Sequence, residues 1–226
     1  MTMRGVLIFD MDGVLVDVRD SYRQTVIETV KHFTGAAATN HEIQKLKNRG
    51  GANNDWNLAL EMVRERGGIA TREEVIHVFQ RISYGENNDG LISRERWLAE
   101  AQLLEGLARR WRLALFTGRM RWEAEHTLRR FSPQTVFDPM ICMEDVAREK
   151  PDPDGLISIM RATDPREAYY IGDTMDDCRA AQGASVPFIG VAGAEIPLRE
   201  ELVERFRQAG AYAVVSDINE LEHTLP

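Results

Sequence analysis

The chain has 226 residues, 43% hydrophobic and 28% charged, a balance that suits one sizeable globular domain or a core domain with a smaller insert. Its net charge of -8 opposes binding to nucleic acid or to an anionic membrane. No apolar run reaches the ~18 residues of a membrane span. Cys142 and Cys178 are too few for a disulfide framework and suit a reducing compartment. Met1–Arg4 leads to only five uncharged residues before Asp10, too short for a secretory leader, so a cytoplasmic location is expected.

The apolar run Val6–Phe9 reads as a short strand buried on both faces, and it delivers the chain into Asp10-Met11-Asp12-Gly13. Two carboxylates one residue apart at a strand end repel and raise each other's pKa unless a cation lies between them. A turn that closes the strand is the other reading of the same residues. From about Val18 to Leu91 the strand pattern stops, and the spacing predicts helices over Asp20–Phe33, Glu42–Lys47, Asn54–Arg66 and Arg72–Ser83. Thr71 and Glu74 form a capping-box signal for the last of these. A polar, turn-rich connector, Gly85–Gly90, follows, and Ser93–Arg110 is expected to return to the core as one long helix.

Further strands are predicted at Leu113–Phe116, Met140–Met143, Ala168–Ile171 and Pro187–Val191. Helices separate them: one over Trp122–Arg130, one opened by Asp152 as N-cap with Pro153 at its first position, and Leu198–Gln208, ended by Gly210. Strands alternating with helices predict an α/β fold, a doubly wound parallel sheet with an inserted all-α domain. Ligands of such sheets bind outside the carboxyl ends of the strands. Asp10, Thr117 and Asp173 stand at strand ends, and Lys150 lies in the loop after the third core strand, so the four groups converge on one edge.

Four stretches carry a family resemblance. Asp10-Met11-Asp12-Gly13-Val14-Leu15 resembles motif I of the haloacid dehalogenase-like (HAD) superfamily, Mg2+-dependent enzymes that mostly cleave phosphate esters. Leu115-Phe116-Thr117-Gly118-Arg119 resembles motif II, Lys150-Pro151-Asp152-Pro153 motif III, and Tyr170-Ile171-Gly172-Asp173-Thr174-Met175-Asp176-Asp177 motif IV. The helical insert resembles the C1 cap of phosphoglycolate phosphatase-like members, which places a Rossmann-like core at 1–17 and 92–226 and the cap at 18–91.

The resemblance implies that Asp10 attacks phosphorus and Asp12 serves as general acid and base. It further implies that Thr117, Gly118 and Lys150 bind phosphate, and that Asp10, Asp12 (through its carbonyl), Asp173 and Asp177 hold Mg2+. Asp12 argues for phosphoryl transfer over dehalogenation, because a halide leaves without a proton. On the residues alone, Thr117 also suits a helix N-cap and Lys150 a solvated surface position. Asp176 reads as a cap of the following helix, and the five histidines are too scattered for a metal site.

Substrate choice falls to the cap. Arg19 and Arg23, at i, i+4 on the first cap helix, and Arg49, Asn53, Asn54 and Trp56 in the Gly-rich segment are the candidates. The strings around them resemble a little-characterised branch with links to histidine biosynthesis, so histidinol phosphate belongs in a substrate panel. The expected partner is a small phosphorylated metabolite, with no nucleic acid and no membrane, in a monomer or homodimer. A phosphomutase of the same fold and a non-catalytic phosphate-ligand-binding regulator are the rival readings.

Overall fold

The computed structural model describes residues 3–226. Six parallel strands form the central sheet: β1 (Val6–Phe9), β4 (Arg112–Phe116), β5 (Met140–Ile141), β6 (Ala168–Gly172), β7 (Phe188–Val191) and β8 (Ala213–Val215), in the order β5-β4-β1-β6-β7-β8. Period-two alternation divides their side chains between two hydrophobic layers. Leu7, Phe9, Leu113, Leu115 and Ile171 face one side, continuous with the insert. Val6, Ile8, Ala114, Phe116 and Tyr170 face the other, under α7 (Asp154–Thr163), α8 (Met175–Ala184) and α9 (Arg199–Gln208). The chain winds outward in both directions from β1, so the crevice of this sheet opens beside Phe9, which registers with Leu115 on one side and Ile171 on the other.

Between β1 and β4 the chain inserts four helices: α1 (Tyr22–Thr34), α2 (Asn40–Arg49), α3 (Asp55–Glu65) and α4 (Arg72–Tyr84). Capping boxes start two of them, Thr39 with Glu42 and Thr71 with Glu74, satisfying backbone donors that a helix start leaves free. Val26, Val30, Leu58, Met62, Val63, Val75 and Phe79 close the interior of the insert. Its exit and return strands pair with each other, β2 (Val16–Asp17) against β3 (Arg96–Trp97). Asp17 is buried there beneath Arg19 and Arg96, at 2.8 and 3.0 Å.

That pairing overturns the expected helix over Ser93–Arg110. Leu91–Arg94 is a 3-10 turn, β3 follows, and only Ala101–Ala108 (α5) is helical. The ladder to β2 supplies the backbone partners that a helix would otherwise provide. Strand β8 and the β2–β3 pair are too short to show a period in the sequence. The helix expected from Asp152 begins at Asp154 instead, with Pro153 in the cap position and Asp152 Oδ1 accepting the Asp154 N–H. The third predicted strand is shorter than expected, and Met143 opens a 3-10 turn.

Helix α7 approaches the sheet at Gly155, where a Cβ would fall 2.2–2.6 Å from the Phe116 ring. Gly155→Ala is therefore expected to lower unfolding free energy by about 1–3 kcal/mol through overpacking. Urea titration checks this, and an unchanged midpoint would show that Phe116 can yield.

Candidate active site

The carboxyl ends of β1, β4 and β6 bring together Asp10, Thr117 and Asp173, and the loop before α7 adds Lys150. All four are buried, as is Asp177 in the first turn of α8. Ligand oxygens of Asp10, Asp173 and Asp177 all lie within 4.8 Å of one another. Lys150 Nζ pairs with Asp10 Oδ1 at 2.9 Å and Asp177 Oδ1 at 2.8 Å, and donates to Tyr170 Oη at 3.2 Å. Tyr170 Oη donates in turn to Asp177 Oδ1 at 2.6 Å, while Thr174 holds Asp177 Oδ2.

These contacts set the charges. Burial pushes Asp177 up, but Lys150 and the hydrogen bonds from Lys150, Thr174 and Tyr170 outweigh it and hold the carboxyl below its usual range. Burial raises Asp10 well above that range; Lys150 opposes the rise, and Asp177, Asp12 and Asp173 add to it. Asp173 makes no ion pair or hydrogen bond to any described residue, and burial with the nearby Asp177 lifts it to about 7 despite Lys47 and Arg23. Burial alone would lower Lys150; Asp10 and Asp177 reverse this and raise it. Gly13, at φ +72°, passes so close that a Cβ would lie 2.0 Å from Asp173 Oδ2. An oxygen-only donor set with an unpartnered carboxylate suits a hard divalent cation.

Asp12 stands apart from the cluster. Its Oδ1 accepts from Arg119 Nε at 2.8 Å, and Oδ2 has no partner among the described residues. Arg119 is buried, spans Asp12, Glu95 and Thr127, and lies 4.7 Å over the Tyr22 ring. Thr117 Oγ1 accepts the Arg119 N–H at 3.2 Å, leaving its own proton free to donate.

The cap closes over these groups and leaves a cavity of about 60 Å³. Of the cap candidates, Arg23, Asn53, Asn54 and Trp56 line it, whereas Arg19 and Arg49 do not. Arg19 precedes α1 instead of sharing its face with Arg23, and is tied to Asp17; Arg49 pairs with Glu61 at 2.7 Å on the surface. Arg23 donates to Gln44 Oε1 at 2.7 Å, and Asn54 caps α3 while reaching Glu149 at 3.1 Å. Lys47, which pairs with Asp55, and Glu123 also line the cavity.

Sequence reasoning missed four contributors. Arg119 stands inside motif II, but its partner Glu95 is 24 residues away and gives no local signal. Tyr170 is an unremarked strand residue, and Glu123 sits in an ordinary first helical turn. Asp176, read as a helix cap, instead accepts the backbone N–H groups of Gly51 and Ala52 at 2.6 and 2.9 Å, fixing the cap loop to the core. A second cleft of about 840 Å³ lies at the opposite, amino ends of β1 and β4 between Arg4, Trp111 and Pro133, away from this chemistry.

Residues 7–191 match the family model described as haloacid dehalogenase-like hydrolase, and the chain belongs to that family. It is an enzyme of the hydrolase class, with phosphatases among its homologues. One is a phosphoglycolate phosphatase of Cereibacter sphaeroides, 26% identical over 187 residues, covering 82% of this chain and 84% of that one. An imidazoleglycerol-phosphate dehydratase of Phytophthora nicotianae is 34% identical over 194 residues, covering 82% of this chain but 42% of the longer relative. The fold superposes on CbbY from Rhodobacter sphaeroides, solved in complex with phosphate, with TM-score 0.73, 21% identity and coverage of 97% and 96%. Among the described residues, no helix is long and apolar enough to cross a membrane.

The Asp173 shift gives a stability prediction without metal. Its folded pKa, about 7 against the usual 3.8, means that the unfolded chain releases this proton first as pH rises. The group therefore lowers stability between about pH 4 and 7. Denaturant titration in chelator should show Asp173→Asn more stable than wild type at pH 7 and nearly equal at pH 4. Equal gains at both pH values would contradict the assigned cause.

Proposed function

We propose that the protein is a Mg2+-dependent phosphatase of small phosphorylated metabolites, acting through an aspartyl-phosphate on Asp10. The observation that carries this reading is the buried trio Asp10, Asp173 and Asp177 beside a single buried lysine. Asp10, Asp173, Asp177 and the Asp12 carbonyl would hold a Mg2+ ion, which would supply neutralising charge there. The catalytic groups belong to the core, 1–17 and 92–226, and the cap, 18–91, covers them.

An Asp10 carboxylate oxygen forms the bond to phosphorus as the bond to the leaving oxygen breaks. Asp12 passes its proton to the departing alkoxide through the unengaged Oδ2, then takes one from the water that attacks phosphorus. That second step breaks the Asp10–phosphorus bond and releases phosphate and free Asp10. Arg119 orients Asp12, while Glu95 shares the guanidinium and offsets its charge. Thr117 Oγ, the Gly118 N–H and Lys150 Nζ hold the phosphoryl oxygens, with the unpartnered Asn53 Nδ2 a further donor from the cap.

Phosphate release from a panel of phosphoglycolate, hexose phosphates, nucleotides, histidinol phosphate and p-nitrophenyl phosphate tests this. The outcome expected is release that needs Mg2+, stops in chelator and falls at least about a thousandfold in Asp10→Asn. Undiminished release by Asp10→Asn would contradict the nucleophile assignment. Asn53→Ala and Trp56→Ala should change the substrate ranking more than Arg49→Ala, whose side chain lies outside the cavity.

A further inference from the structure

Beyond the phosphate-facing groups, the cavity carries a carboxylate that the reaction does not use. Glu123, in the first turn of α6 (Arg121–Phe131), is only 3% exposed and lines the cavity. Its Oε2 accepts the Met120 N–H at 2.7 Å, and its carboxyl faces the Tyr22 hydroxyl from the cap. Tyr22 Oη and Tyr84 Oη are buried on the same cavity wall, and Tyr84 Oη has no partner among the described residues. Their rings and those of Phe79 and Trp56 supply aromatic surface to the cavity.

A buried carboxyl group and two buried hydroxyls on an aromatic wall form a polar face that a ligand group can engage by hydrogen bonds. Among the described residues no cation pairs with Glu123: Arg119 is committed to Asp12, Glu95 and Thr127, Lys47 to Asp55, and Arg23 to Gln44. A leaving group bearing a carboxylate would add an anion to a cavity already lined by Asp12, Asp173 and Glu123. A neutral polyol could bond the tyrosines and the Glu123 carboxyl but makes no charge-assisted hydrogen bond there. A protonated nitrogen satisfies the carboxylate with a charge-assisted hydrogen bond and is also attracted by aromatic faces.

We infer that the leaving group of the substrate carries a protonatable nitrogen, received by Glu123 with Tyr22 and Tyr84. This rests on the phosphatase reading and narrows it to phosphate esters of amino alcohols or basic nitrogen heterocycles. Burial pushes Glu123 up to about 8, with the Met120 N–H and the Tyr22 hydroxyl opposing and Asp12 adding. An entering cation reverses that rise and exchanges the Glu123 proton for an ion pair. The reaction that supplies this substrate must then be one that leaves or installs an amine or basic ring on a phosphorylated carbon chain.

Steady-state kinetics with Mg2+ on O-phosphoethanolamine and histidinol phosphate, against 2-phosphoglycolate and p-nitrophenyl phosphate, tests the inference. At least one nitrogen ester should exceed phosphoglycolate in kcat/KM by about tenfold or more. Glu123→Gln, which keeps an acceptor for Met120 N–H, should lower that ester's kcat/KM about tenfold more than that of p-nitrophenyl phosphate. A preference for phosphoglycolate, or equal losses on both substrate types in Glu123→Gln, would overturn it. Absence of Mg2+-dependent p-nitrophenyl phosphate hydrolysis would instead sink the phosphatase reading itself. A turnover-free check uses Asp10→Asn: the nitrogen ester should raise Tm more than phosphoglycolate does, and adding Glu123→Gln should remove the difference. Equal shifts before that second change would overturn the inference.

Discussion

The structure depends on a concentration of negative charge where the sheet reverses its winding. Three carboxylates with oxygens within 4.8 Å repel by roughly 3 kcal/mol per pair at an effective dielectric of 20, and a single ammonium, Lys150, lies among them. Surrounding features answer this repulsion. Tyr170 and Thr174 saturate Asp177, so the lysine sits between one carboxylate fixed by hydrogen bonds and another, Asp10, left on a strained charge state. Gly13 gives up its side chain so that Asp173 can approach the β1 turn. The remaining imbalance falls on Asp173, and it is this imbalance that a divalent cation would relieve.

The same helix connects chemistry to closure. Adjacent residues in the first turn of α8 face different tasks: Asp177 enters the charged cluster, and Asp176 takes two backbone N–H groups of the cap loop. Arg179, one turn on, donates to the Arg49 carbonyl, and Asn54 reaches across to Glu149. A cavity of about 60 Å³ holds only a few waters, well short of the roughly 300 Å³ or more typical of ligand pockets, so these contacts describe a closed cap. The paired strands β2 and β3 are the two covalent connections between cap and core.

Much of this was legible in the order of residues. Buried strands ending in Asp10, Thr117 and Asp173 announce their site because both the apolar run and the polar residue that ends it are local. The helical insert was legible through period and capping boxes, as at Thr71 and Glu74. What the chain does not announce is long-range pairing. Nothing near Glu95 or Arg96 signals that one is to meet Arg119 and the other Asp17, so the apolar and charged mixture after Ser93 reads as helix. Arg49 and Asn53 stand four residues apart with similar polar character, yet one pairs with Glu61 on the surface and the other enters the cavity. Only the turn of the loop around Gly50 and Gly51 separates them.

Beryllofluoride binding followed by 19F NMR tests the central claim most directly, because a tetrahedral fluoride on a carboxylate imitates an acyl phosphate and needs no knowledge of the substrate. The account predicts a bound resonance in the wild-type protein that requires Mg2+ and disappears in Asp10→Asn and Asp173→Asn. A Mg2+-independent resonance, or one that persists in Asp10→Asn, would contradict the assignment of this carboxylate cluster as the seat of phosphoryl transfer.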